Sequence, residues 1–192
     1  MKLGFVSAIF DQSNYEEMMD IAGEMGFACV EVACWPQGKA ERRYAGVSHI
    51  DVDRVLSDDA YAEHILTYAK KKGLRSLLLH FIRIRWMVIW EKRAGAVEHL
   101  KTVIAASAKL GVNLVTTFIG RDQSKTVKEY LELVKEIWPP ILSLAEEKGV
   151  RIASETFPML FRHRSVAGRT ESDDNSGKLE KDMEIFRART LE

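Results

Sequence analysis

The sequence predicts an α/β fold built on a parallel sheet, with five strands alternating with helices, and three observations predict it. Four phrases end a helix-like stretch on glycine and pass at once into an apolar run: Met25-Gly26-Phe27, Lys72-Gly73-Leu74, Leu110-Gly111-Val112 and Lys148-Gly149-Val150. Glycine suits the left-handed position just past a helix, and the apolar run behind it suits a strand covered on both faces. The glycines follow one another at intervals of 47, 38 and 38 residues, the period of a strand-helix unit, and such alternation implies parallel strands. At 192 residues and 46% hydrophobic, the chain can bury one domain and is short for two.

Each element follows from local signals. Leu3 to Ala8 reads as the first strand. Ser13 and Glu16 stand at capping-box spacing, and the helix they open carries the apolar stripe Tyr15, Met18, Met19, Ala22 and Met25. Phe27 to Ala33 is the second strand. The connection from Cys34 to Leu56, with Trp35-Pro36 and Arg42-Arg43-Tyr44, has the length of a lid or binding segment. Ser57 is placed to cap a helix with Ala62, Ile65, Leu66 and Ala69 on one face, ahead of a third strand from Leu74 to Leu79. A helix from about Glu91 to Leu110 precedes a fourth strand, Val112 to Ile119. Thr126 and Glu129 cap a further helix that Pro139-Pro140 should kink or restart, and the fifth strand begins after Gly149.

Two tracts break this rhythm. Residues 81 to 90 put bulky apolar side chains where a polar loop should leave the sheet, and from about Arg162 the chain turns polar and rich in charge.

Composition excludes several partners. Lys plus Arg equals Asp plus Glu at 28 each, so no long-range field draws nucleic acid or an anionic membrane. Cys29 and Cys34 bracket a strand, and no cysteine or histidine pair has zinc-finger spacing. With no signal-peptide core and no apolar run of membrane-spanning length, the expectation is a cytoplasmic protein with reduced thiols and no membrane partner. The glycine signatures of dinucleotide-binding folds, nucleotide-triphosphate loops and nucleophile elbows are missing.

The phrases Gly26-Phe27-Ala28-Cys29-Val30-Glu31-Val32, Leu110-Gly111-Val112-Asn113-Leu114-Val115-Thr116-Thr117 and Gly149-Val150-Arg151-Ile152-Ala153-Ser154-Glu155, with Pro158-Met159, resemble the sugar phosphate isomerase/epimerase family. The resemblance covers roughly residues 1 to 80 and 91 to 161. It implies a xylose isomerase-like (β/α)8 TIM barrel of which about the first five βα units are present. Residues 1–161 then form the N-terminal part of the barrel, and 162–192 a divergent, irregular tail.

The resemblance also implies an activity, metal-dependent isomerisation or epimerisation of a sugar or sugar phosphate by proton transfer next to the carbonyl. The divalent metal (Mn, Mg, Co or Zn) is held in that family by two glutamates, an aspartate and a histidine at strand ends. Glu155 matches the first of these glutamates and is the expected catalytic and metal residue; the other three belong to later strands. Such an ion polarises a carbonyl while a carboxylate moves the neighbouring proton. A related metal-dependent endonuclease on this fold is disfavoured by the neutral charge and scattered histidines.

Within this frame Glu31, set between Val30 and Val32, is either a paired core charge or a substrate contact. Trp35 is either a wall of the sugar site or a packed ring. His80 ends the third strand beside the rhythm-breaking tract and is set aside as an accident of reading frame. His49, His64, His99 and His163 read as solvated.

Frameshifts are one common explanation of both unusual tracts, a genuinely divergent loop and tail the other. Back-translated and shifted by one base from just before Ile82, residues 81 to 90 give Tyr-Pro-Asn-Pro-Leu-Asp-Gly-Asp-Leu, a loop of the family's type. Trp86-Met87 allows only TGGATG, which forces the shifted aspartate. Residues 166 to 183 behave alike, with an early stop. The activity is therefore expected to be impaired in this chain. The alternative is a non-catalytic half-barrel acting through self-association, because five strands leave two edges and an inner face uncovered.

Overall fold

The structure is a computed structural model that describes residues 3–37, 46–74, 76–81, 90–119 and 126–154. Five strands form one parallel sheet in the order of the chain: β1 (Gly4–Val6), β2 (Cys29–Ala33), β3 (Ser76–Phe81), β4 (Leu114–Thr117) and β5 (Arg151–Ser154). The helices between them are α1 (Tyr15–Glu24), α2 (Val52–Ser57), α3 (Asp59–Lys71), α4 (Trp90–Lys109) and α5 (Val127–Glu147), with a 3-10 turn at Ser7–Ile9.

All four helix-to-strand glycines have positive φ, 71° at Gly26, 78° at Gly73, 64° at Gly111 and 66° at Gly149. The amide three residues past each helix then turns back to a carbonyl of its last turns, as Val150 N–H does to Ala145. The chain is thereby delivered straight into the next strand.

Several boundaries differ from the sequence reading. Asn14, not Ser13, caps α1, in a reciprocal box with Glu17. The Asn side chain reaches the amide of Glu17, so the whole box slides by one residue. The stripe Tyr15, Met18, Met19 and Ala22 is buried, whereas Met25, past the helix end, is 66% exposed. Ser57 is not a cap: it ends the extra helix α2, which Asp51 caps, and Asp58 caps α3. The box of Thr126 and Glu129 is present. Pro139 and Pro140 neither stop nor restart α5. Their rings remove two amide donors, and the flanking residues Val134, Trp138, Ile141 and Ala145 are buried on the sheet side, which holds the helix across the gap.

The sheet has two unlike faces. Val30, Val32, Leu79, Phe81 and Val115 meet Met18, Ile65, Ile104, Trp138 and Ile141 from the helices in one apolar core. Residues one step out of phase, Glu31, Ala33, His80 and Thr116, share the opposite, inner face. Among the described residues no helix is long and apolar enough to cross a membrane.

Candidate functional site

The inner face holds a polar cluster drawn from three adjacent strands. Register places His80 of β3 opposite Ala33 of β2 on one side and Thr116 of β4 on the other, one residue short of the carboxyl ends of β3 and β4. Glu31 lies two residues before Ala33, on the same side of the pleat. Its Oε1 accepts from His80 Nδ1 and from the Thr116 hydroxyl, and Thr116 Oγ1 lies 3.0 Å from the same ring nitrogen. His80 and Thr116 are buried, and Glu31 keeps 19% of its side-chain surface exposed.

Burial raises the cost of charging Glu31, but the hydrogen bonds from His80 and Thr116 and the field of the imidazole outweigh it. The carboxyl is held below the usual glutamate range. An ionised Glu31 accepting at Oε1 places a proton on Nδ1 of His80.

A second cluster ties the connection after β2 to the strand ends. Ser7 Oγ accepts from Ala33 N–H at 2.8 Å, and its one proton goes to His49 Nδ1 at 2.9 Å. His49 Nε2–H then donates to the Phe10 carbonyl at 3.1 Å. Burial lowers the His49 pKa despite backbone partners that raise it, which suits a ring held neutral. His49 N–H donates to Ala33 O, and an isolated bridge joins Cys34 to Ser48. Val47 packs with Val6, Ala8, Ala33 and Trp35 over this end of the sheet.

These positions answer the sequence reading residue by residue. Glu31 is paired with His80 and Thr116. Trp35 packs edge-on against Phe81 at 5.4 Å and joins the packing around both core clusters. His80 is no stray: it precedes residue 82, where the shifted frame is read to begin, and it is the partner of Glu31. Of the histidines read as solvated, His49 is buried, His64 pairs with Glu16 at 2.6 Å, and His99 bonds the Cys34 carbonyl at 2.8 Å; His163 lies outside the described residues. Glu155, both rhythm-breaking tracts apart from Phe81 and Trp90, and the tail also lie outside them. The signal that could have found His80 and Thr116 was phase: each is the polar residue at an inner-face position of a strand end.

Cys34 is fully buried, and burial pushes its thiol up to about 12, so it serves packing rather than chemistry. Gly4 faces Cys29 so closely that a Cβ there would collide with the sulfur, which fixes glycine in β1.

Metal binding is not carried by these side chains. Among the described residues no three His, Cys, Asp or Glu side chains are grouped to hold an ion. The two donors that meet, Glu31 and His80, bond each other, and Nδ1 is consumed in doing so. The described residues therefore do not fit a divalent ion.

A family model described as xylose isomerase-like TIM barrel matches residues 19–172. The probable 3-DHS dehydratase AsbF from Bacillus anthracis, described as involved in petrobactin synthesis, is similar with a TM-score of 0.56 and 18% identity, over 82% of this chain and 53% of that one. The D-psicose 3-epimerase of Clostridium cellulolyticum, solved with D-tagatose, gives a TM-score of 0.55 and 18% identity, over 79% and 51%. The IOLI protein, solved with a binding zinc atom, gives 0.55 and 16%, over 80% and 51%. The chain thus spans about half the length of these solved structures, and at such identities the likeness carries the fold. No curated protein matches it.

Proposed function

This chain belongs to the xylose isomerase-like TIM barrel family, and from that premise we propose that it carries the amino-terminal part of a sugar or sugar-phosphate isomerase/epimerase site. The observation that supports this most is the carboxylate-imidazole-hydroxyl cluster on the inner face, near the strand carboxyl ends where barrels of this class carry chemistry. Glu155 follows Ser154, the last residue of β5, and is the proposed base. It takes the proton from the carbon beside the carbonyl, the C–H electron pair moves into the new carbon-carbon double bond, and the carbonyl oxygen takes up the charge. Return of the proton to the other face epimerises, and return to the neighbouring carbon isomerises. Trp35 and Glu31 contribute to the substrate side of the site.

The divalent ion implied by the resemblance has Glu155 as its proposed ligand. The described residues supply no further donors, so no step is routed through it. Impairment is part of the proposal, since residues 81–90 and the tail from 162 depart from the family's loop pattern. A cytoplasmic setting fits the two free thiols.

The test is exchange of substrate protons with deuterated solvent, followed by NMR across ketoses and their phosphates with and without Mn²⁺. Exchange that vanishes in Glu155→Gln supports the reading, and absence of exchange with every sugar sinks it. One observation favours a second reading, a half-barrel that self-associates: among the described residues β1 and β5 pair on one side only. Light scattering that finds a monomer removes it.

A further inference from the structure

The segment that returns to the sheet after β2 is tied to the turn after β1 by a buried histidine that the proposed chemistry does not use. Residues 46–49 lie over the carboxyl ends of β1 and β2. Val47 packs on Ala8, Ala33 and Trp35, Trp35 N–H donates to Val47 O at 3.4 Å, and His49 N–H donates to Ala33 O at 2.9 Å. This strap begins at Gly46, at φ 91°, and ends beside Ile50, which is fully buried in the helix-side core. A positive φ is a setting that glycine leaves and re-enters freely. Ile50 is an anchor.

The tie between His49 and Ser7 works in one protonation state. The carbonyl of Phe10 only accepts, so Nε2 of His49 carries a hydrogen. Nδ1 of the neutral ring then offers a lone pair and receives the Ser7 hydroxyl proton, while Ser7 Oγ accepts from Ala33 N–H. Each polar atom of the pair is matched. A second ring proton goes to Nδ1, where it meets a hydroxyl that is itself donating. Ser7 is completely buried, so its hydroxyl has to turn out of the bond in a place closed to water, and a full charge is left on a buried ring. With the strap lifted, the same charged ring is solvated. Proton uptake and closure therefore oppose each other.

We propose that His49 makes residues 46–49 an acid-released strap over the carboxyl ends of β1 and β2, closed while the ring is neutral and opened by proton uptake at Nδ1. The sign follows from burial, which lowers the His49 pKa against the raising effect of the Phe10 and Ser13 backbone. The advantage of the closed strap is thus complete above the ordinary imidazole value of about 6.5 and drains away as pH falls from there to the lower closed value. The ionisable side chains on the surrounding elements are Asp11 before α1, Glu31 and Cys34 of β2, His80 in the register row of Ala33, and Asp51 on the strap's own side of α2. Glu31 is bonded to His80 and Thr116, and the Cys34 thiol, pushed up to about 12, stays neutral throughout this window. The strap needs no sugar, metal or base to operate, so it stands apart from the function proposed above.

The experiment is amide hydrogen exchange followed by NMR on the whole chain, from about pH 7.5 to about pH 5.5, with each rate divided by its intrinsic value. Protection of the His49 and Trp35 amides, which bridge the strap to β2, should fall by about three- to ten-fold across this range. That of the buried Leu79 amide should not follow. In His49→Gln, which keeps a donor and an acceptor and takes up no proton, the loss should vanish. In Ser7→Ala, which removes the bond to the neutral ring, the His49 titration should move up toward its ordinary value. If His49→Gln does not fold, the parent chain decides through the Trp35 to Leu79 ratio and the titration of the His49 ring. Protection at Trp35 that is constant or falls in step with Leu79, a His49 ring that titrates at or above the ordinary value, or a His49→Gln chain that keeps the acid loss overturns the proposal.

Discussion

The two faces of the sheet are made from the same strands one residue out of phase, and they are held by different physics. On the helix side, Val30, Val32, Leu79 and Val115 are completely buried against α1, α3, α4 and α5, and non-directional burial does the work. On the inner side, Glu31, His80 and Thr116 are held by directional bonds among themselves. An apolar face tolerates many sequences of similar volume, whereas a polar cluster specifies which atoms meet. The fold should therefore break most easily from the first face, and the site from the second.

The largest effect is expected at Leu79, which precedes His80 and is fully buried. Leu79→Ala should cost about 2–5 kcal/mol, the range for truncating a buried leucine, read as a lowered urea midpoint. A cost near zero would mean that the helix-side core is not the main support of the sheet.

The same contrast explains what could be read from the sequence. The helix face was legible because burial leaves a period: Tyr15, Met18, Met19 and Ala22 repeat at helical spacing, and the strand runs are apolar. The joints were legible because Gly26, Gly73, Gly111 and Gly149 each need a backbone that other residues resist. Caps were less so, since Ser13 and Asn14 are chemically equivalent candidates and only the backbone decides between them. Pro139-Pro140 do not restart the helix, because local propensity lost to the packing of Trp138 and Ile141. The inner face was least legible. Glu31, His80 and Thr116 are 49 and 36 residues apart in sequence, and only strand register brings them together. The same holds for Ser7 and His49, 42 residues apart.

The next effect in size belongs to the inner face. Glu31→Ala should cost about 1–3 kcal/mol, because it leaves the Nδ1 proton of His80 buried without its acceptor. Its pH dependence distinguishes it from Leu79→Ala. The folded carboxyl titrates below the ordinary glutamate value, so in acid the unfolded chain binds more protons than the folded one. The stabilisation by Glu31 is thus complete above the ordinary value of about 4.3 and drains away as pH falls through the lower folded value. In Glu31→Ala that part of the acid slope should vanish, while Leu79→Ala should keep it. Parallel urea titrations from neutral to acid pH decide this, and identical slopes in all three chains would contradict the pairing.

The smallest effect, and the sharpest, is Thr116→Val. The exchange keeps the shape of the side chain and removes only the hydroxyl that donates to Glu31 Oε1, so the cost at neutral pH should be about 0.5–1.5 kcal/mol. His80 still holds the same oxygen, and the carboxylate stays paired. Removing one of the bonds that favour the charged form lets the carboxyl of Glu31 rise toward its ordinary range. The stabilisation lost in acid should then be smaller in total: its loss should begin near the same ordinary glutamate value and be complete at a higher pH than in the parent chain. A substitution at a purely packed position shifts the whole stability curve without changing its slope. If Thr116→Val behaves that way, the hydroxyl is a packing group, and the inner face differs from the outer one in composition but not in kind.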